Sequence, residues 1–348
     1  MNIKKILTLT LACSILAATP IMAAPVDGNP GGEETIQYTD LDPKLTEAAE
    51  KAIEQYANGK SFKLEEAFKN DYYEGKTKKE SWIVQSKDRN VVVSLDAVSG
   101  KVLTVSLTFT IPEVTGDYAN YLKAAQAAAK QLYPKTELAF TKAHYFKSNK
   151  AGLQEATMTF ASEDRQFIAM DTSTLKPTMY SLKFKAADVD RKIVAEAEKA
   201  VKSMGVKVQP FTDIERRKTN GETGEDAWVL TRKVGVKGDF PKKRVVIQED
   251  NRAFVVDAIA IVEGKTGKLI SVAIERASDN QKLKKLTEKE GITLVKPVAK
   301  QLFGADLSSY TLKVDKDWGD YVFTSKGKES IIAKFDSYGN LVRMERKK

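Results

Sequence analysis

Apolar and polar positions alternate strictly through Val91, Val93 and Leu95 and again through Leu103, Val105, Leu107 and Phe109, with Thr104, Ser106 and Thr108 between. Period two on both sides of the polar stretch Asp96-Ala-Val-Ser-Gly-Lys101 predicts a hairpin with one buried face. In its turn Asp96 is placed to bond the backbone ahead of it, and Gly100 to take a positive φ. Upstream the period changes. Leu45, Ala49, Ala52, Ile53 and Tyr56 share one helical face behind Asp42-Pro43 and ahead of Gly59. That predicts a helix with a capping carboxylate, proline at its first position and a glycine stop.

Helix and hairpin then recur. Asp117 opens a second helical pattern with Tyr121, Leu122, Ala125, Ala128 and Leu132 inward, and the turn returns as Asp171-Thr-Ser-Thr-Leu-Lys176. Asp42 to Asp96 and Asp117 to Asp171 both span 54 residues, and equal spacing marks a repeat more strongly than either match alone. A third copy starts at Asp188, carries Ile193, Val194, Ala197, Val201 and Met204 on one face, stops at Gly205 and reaches Glu263-Gly-Lys-Thr-Gly-Lys268. A fourth has Asp279 near its helical start and reaches Asp336-Ser-Tyr-Gly-Asn340. The third is 21 residues longer, and the same excess separates the Trp228-to-Glu263 span from the Trp82-to-Asp96 span. An insertion therefore lies between Trp228 and Glu263. It carries Arg232, Lys233, Lys237, Lys242, Lys243 and Arg244 around Gly235, Gly238 and Pro241, which predicts an extended basic hairpin. The expected organisation is α+β, with units at 41–112, 113–184, 185–277 and 278–348.

Ahead of these units, Lys4 and Lys5, an apolar run from Ile6 to Leu16 and small residues at Ala23 and Ala24 predict a secretory signal peptide over 1–23. A glycine- and proline-rich lead follows over 24–40. Cys13 is the single cysteine, and Leu9 sits one place too far upstream for a lipid-anchoring site. A secreted chain without cysteine has no disulfide, thiol nucleophile or cysteine metal site. No later apolar run approaches the roughly 20 residues that span a bilayer. The formal net charge of +9 is spread along the chain. It reads as a solvated basic surface, able outside a cell to hold anionic wall polymer, without a nucleic-acid signature.

The turn pattern Asp-x-x-Ser/Thr-Gly-Lys between apolar strands and after a helix resembles the PepSY domain and the related YcdB/YcdC repeats. The match is best over 91–105 and 260–272, and the second copy has Leu175 where glycine is expected. The resemblance implies tandem cystatin-like units, each a helix packed on a curled antiparallel sheet, in secreted proteins with a role in restraining proteases. It implies no catalytic residues. Asp96, Gly100, Asp171, Glu263, Gly267, Asp336 and Gly339 fall on its structural turn positions.

Candidate chemistry is sparse. His144 is the only histidine, which excludes His-Glu-x-x-His zinc sites, and no nucleophile motif adjoins it. Ser325-Lys-Gly-Lys328 matches Ser-x-x-Lys without that enzyme class's partner motifs. Glu65-Glu66 serves glycoside chemistry only if two carboxylates face each other across a cleft. Asp336-Ser-Tyr-Gly-Asn340 supplies few spaced oxygens for calcium, and Trp82 and Trp228, in equivalent places, read as packing residues. The expectation is a secreted, non-catalytic binding protein without cofactor, engaging a protein or peptide through sheet edges or concave faces, with regulation of extracellular proteases as the implied role. The alternative is a structural wall-associated protein held by its charge, with Lys237, Lys242, Lys243 and Arg244 as contacts.

Overall fold

A computed structural model describes residues 35–74, 76–135, 137–150, 155–219, 226–235, 246–249, 252–276, 282–284, 286–315 and 319–347. The chain divides into two compact bodies, one ending at Ser181 and the other beginning at Leu182.

In chain order the first body contains β1 (Ile36–Gln37), α1 (Pro43–Tyr56), β2 (Glu66–Glu74), β3 (Thr77–Gln85), β4 (Val91–Asp96), β5 (Val102–Thr110), α2 (Tyr118–Leu132), β6 (Lys142–Ser148), β7 (Ala156–Ala161), β8 (Phe167–Asp171) and β9 (Pro177–Phe184). Each strand pairs antiparallel with the next. Asp42 accepts the Lys44 N–H at 2.8 Å and so caps α1, whose Leu45, Ala49, Ala52 and Ile53 are buried against β4 and β5. Asp117 does not cap α2: its own backbone is already helical, at φ −63° and ψ −29°, and its side chain makes no cap bond. A cap needs an extended backbone to turn its oxygen onto the helix amides.

The second body contains α3 (Arg191–Ser203), β10 (Asp213–Lys218), β11 (Ala227–Gly235), β12 (Val246–Glu249), β13 (Arg252–Glu263), β14 (Leu269–Ile274), α4 (Glu288–Phe303), β15 (Thr311–Val314), β16 (Asp320–Thr324), β17 (Ser330–Phe335) and β18 (Leu341–Lys347). Its sheet runs β10-β11-β13-β14-β18-β17-β16-β15, all antiparallel, with β12 paired to the first part of β13. Asp190, two residues after Asp188, caps α3 through the Lys192 N–H. Thr287 and Glu290 cap α4 reciprocally, and Asp279 lies outside the described residues. Ile193, Ala197 and Val201 of α3 and Val295 and Ala299 of α4 share a core with Leu230, Ala260, Val272, Phe323 and Met344.

This corrects the expected fold class. Strand predominates, with four α-helices among the described residues, and the sheet is not parcelled into cystatin-like units. Strand β5 pairs with β6 along Thr104–Thr110 and Lys142–Ser148, and β14 pairs with β18 at Ser271, Val272 and Ala273. Separate units would leave these edges as rows of unpaired N–H and C=O groups, and pairing them with a neighbouring strand removes that exposure. Residue periodicity reveals a strand but not its non-local neighbour.

Two kinds of turn close the hairpins. The first is the acidic turn, in which the residue at the positive-φ position donates its N–H to the acidic residue's carbonyl: Gly100 to Asp96 at 2.9 Å, Leu175 to Asp171 at 3.0 Å, Gly267 to Glu263 at 2.9 Å and Gly339 to Asp336 at 3.1 Å. The φ values are +71°, +56°, +69° and +80°, and a β-bulge on the outgoing strand, at Leu103, Thr178, Ile270 and Val342, follows each turn. These turns abut the starts of helices. A Cβ on Gly267 would meet Ile193 Cδ1 at 3.3 Å, and one on Gly339 would meet Leu286 Cδ2 at 3.2 Å. The second kind begins with serine. Arg89 donates to the Ser86 carbonyl, Arg165 to that of Ser162 and Lys328 to that of Ser325. In the third copy the inserted residues stand where this serine turn would be, between β11 and β13.

Candidate functional site

The acidic turns consume their own oxygens. Asp96 Oδ1 accepts the Ser99 N–H and hydroxyl, both at 2.7 Å, and its Oδ2 accepts the Tyr72 hydroxyl at 2.7 Å. The Ser99 hydroxyl, then Tyr72, hold the Asp96 carboxyl far below the usual carboxylate range. Asp171 is likewise lowered by Ser173 and Thr174, and Glu263 accepts the Thr266 hydroxyl. Asp336 Oδ1 takes the N–H groups of Tyr338 and Asn340 at 2.9 and 2.8 Å. Gly100, Gly267 and Gly339 supply the left-handed backbone. Among the described residues no group of three or more His, Cys, Asp or Glu is placed to hold a metal ion.

Lys237, Lys242, Lys243 and Arg244 lie outside the described residues. Arg232 is 4% exposed, bidentate to Asp257 at 2.7 and 2.9 Å and bonded to the Lys207 carbonyl. Lys233 pairs with Asp213 at 3.4 Å. Both are structural cations of the β11/β13 hairpin.

The three sequence candidates for chemistry have these surroundings. Ser106 Oγ and His144 Nε2 lie 2.7 Å apart across the β5/β6 ladder, and burial pushes the imidazole down to about 4. Its neutral ring is held at mid-strand, where the serine's neighbouring N–H groups serve the ladder and not an oxyanion. Ser325-Lys-Gly-Lys328 is the fourth copy's serine turn, and Lys328 Nζ reaches Ser309 Oγ at 3.1 Å. Glu65 accepts the Lys87 N–H at 3.1 Å, which lowers its carboxyl below the usual value, while Glu66 accepts from Gln85 Nε2 at 3.3 Å.

One recurring cluster escapes a reading by motif. Lys69 of β2 lies over the Trp82 ring, 5.6 Å from its centroid, and pairs with Glu80 at 3.5 Å. Arg216 of β10 lies over Trp228 at 5.4 Å and is bidentate to Asp226. Such a cation over an indole stabilises a cross-strand pair. The visible signal is an acidic residue two places before each tryptophan. Trp318 lies outside the described residues.

The first strand of this cluster also carries the site best suited to a partner. Glu80 and Ala156 are equivalent, since each carbonyl accepts the N–H of the residue after its acidic turn's Asp. Their registers then equate Glu66–Tyr72 of β2 with Lys142–Ser148 of β6. Every one of the β6 positions is paired by β5. On β2 only Glu66 and Ala67 are paired on that side, by Gln37 and Ile36. From Phe68 to Tyr72 the outer edge has no strand partner among the described residues. The groups on this edge can be assigned. The Glu80 carbonyl accepts from Ala97, so Glu80 faces β4 and Ser81 faces β2; Asn70, opposite Ser81, therefore faces β3. In antiparallel pairing successive residues face opposite ways, so Lys69 and Asp71 aim their N–H and C=O groups outward. Lys69, Asn70 and Asp71 are exposed, and Tyr73 just beyond them is 69% exposed. No family model matches this chain, and no curated protein and no solved structure is found to be similar to it.

Proposed function

We propose that the protein is a secreted, non-catalytic binding protein that takes up an extended segment of polypeptide along the outer edge of β2. The observation that carries this reading is the contrast between one strand position fully paired in β6 and, among the described residues, without a strand partner over Phe68–Tyr72 in β2. Backbone pairing supplies affinity there without any catalytic group, and the alternating side chains supply selectivity. The sequence from Lys4 to Ala24 supports secretion, and no helix among the described residues is long and apolar enough to cross a membrane. Extracellular proteases are the polypeptide class to which the turn resemblance points.

The test immobilises residues 24–348 and offers the polypeptides secreted alongside it, in parallel with Asp71→Pro. Proline there deletes an outward N–H and leaves the bonds to β3 in place. A polypeptide held by the native chain and weakened by about tenfold or more in the variant supports the edge. Equal retention by both, or by neither, overturns it.

A further inference from the structure

The segment Phe68–Tyr72, without a strand partner on its outer side among the described residues, is complementary to itself. Phe68-Lys69-Asn70-Asp71-Tyr72 reads aromatic, cation, amide, anion, aromatic. Rotated by half a turn about Asn70, it sets each charge against its opposite and each aromatic against an aromatic. We propose that the occupant of the β2 edge is β2 of a second copy of this chain, paired antiparallel about Asn70; the inference rests on the edge reading above and names its partner.

The backbone fits this register. Lys69 and Asp71 carry the outward-facing groups, so Lys69 lies opposite Asp71 of the partner subunit as a hydrogen-bonded pair exchanging both N–H···O contacts, and Asp71 does the same with Lys69 of the partner subunit. Asn70 meets Asn70 of the partner subunit, and Phe68 meets Tyr72 of the partner subunit, in non-hydrogen-bonded pairs. Those are the positions at which antiparallel side chains approach most closely. Opposite charges and aromatic pairs directly across a ladder are each stabilising. The ladder stops by itself at Ala67, where Ile36 already pairs. The pairing involves one copy of each face, so it closes as a two-fold dimer.

The bare edge of β15 does not have this property. Strand β15 is Thr311-Leu-Lys-Val314, and the same rotation sets Leu312 against Lys313 with no compensating anion. Lysine on a short edge strand works against self-pairing. A ladder of five residues is small for an interface, so the dimer should form and dissociate with concentration.

Sedimentation equilibrium of residues 24–348 over a wide concentration range tests the pairing. The expected result is a reversible monomer–dimer equilibrium whose dissociation constant rises about tenfold or more in Lys69→Asp and in Asp71→Lys, each of which sets like charges opposite one another twice. Combining both substitutions reverses the charges and should return the constant to within about threefold of the native value. These side chains are exposed, so the variants are expected to fold, and near-native circular dichroism checks it. A monomer at every concentration, a dimer indifferent to the single substitutions, or a double substitution without recovery overturns the proposal. A monomeric chain that still captures a foreign polypeptide, with capture lost in Asp71→Pro, defeats the self-pairing and keeps the edge reading; no capture at all defeats both.

Discussion

The two bodies join their repeats differently. In the first, the last strand of one repeat, β5, lies beside the first strand of the next, β6. In the second, the last strands of both repeats, β14 and β18, lie side by side. Both seams bury apolar pairs on the helix-covered face. Leu107 lies opposite Tyr145 in one and Val272 opposite Met344 in the other, and Leu107, Val272 and Met344 are fully buried. A seam forms wherever the connecting chain brings two half-buried edges together, and the arrangement settles which edges remain bare. Among the described residues these include the outer sides of β2 and β15. The first is a nine-residue strand bearing charges of both signs, and the second is a four-residue strand bearing one lysine.

Emptying the core beside each seam should have the largest effect. Phe109 is 1% exposed and meets Phe62 and Tyr118 edge-on at 5.7 and 5.6 Å, so Phe109→Ala should destabilise by about 3–5 kcal/mol. Met344→Ala should cost about 2–5 kcal/mol. Hydrogen exchange should quicken in β4, β5 and β6 for the first and in β14, β17 and β18 for the second. Loss spread evenly over all these strands in both variants would show that the seams are not separate features.

Acid should then separate the seams. His144, the only histidine, sits in the β5/β6 seam with its folded value pushed down to about 4 by burial, against about 6.5 when unfolded. Between those values the unfolded chain binds more protons. The seam's contribution is therefore complete above about pH 6.5 and falls as pH drops toward 4, by up to about 3 kcal/mol. Exchange in β5 and β6 should quicken from pH 7 to 5 after correction for intrinsic rates, and His144→Asn should flatten that response. The β14/β18 seam carries no imidazole and should stay level over the same window. A parallel loss there would break the contrast.

The smallest predicted effects have opposite signs at equivalent positions. Leu175→Gly removes a side chain from a left-handed backbone and should stabilise by about 1 kcal/mol. Gly267→Ala forces one onto such a backbone and should destabilise by about 1–2 kcal/mol. Urea midpoints of the two variants check both. Shifts of the same sign would mean that the two turns are not alike.

The turns themselves were legible in sequence because each is local. An acidic residue, a hydroxyl and, in three of the four, a glycine within six positions define the bonds that close it. Helix α1 was legible for the same reason, through Asp42-Pro43 and the spacing of Leu45, Ala49, Ala52 and Ile53. The third copy begins at Asp188, but the cap of α3 is Asp190, a choice between two aspartates that spacing alone does not make. Seams and bare edges were invisible, since Thr104 gives no sign that Ser148 will lie beside it. The recurrence of the tryptophans is visible in sequence, whereas Lys69 and Arg216, which lie over them from neighbouring strands, carry no motif. The self-complementary run 68–72 gained meaning only when β6 showed which strand side should have been covered.

The two kinds of turn give the sheets an end that tolerates change and an end that does not. Acidic turns sit against Leu45, Ile193 and Leu286, so added residues there would push on the start of a helix. The third copy instead carries its additional 21 residues at the serine-turn end, between β11 and β13. That natural extension marks 87–90, 163–165 and 325–328 as places where foreign loops, such as an epitope or a reporter peptide, can be grafted with the helix-bearing end undisturbed.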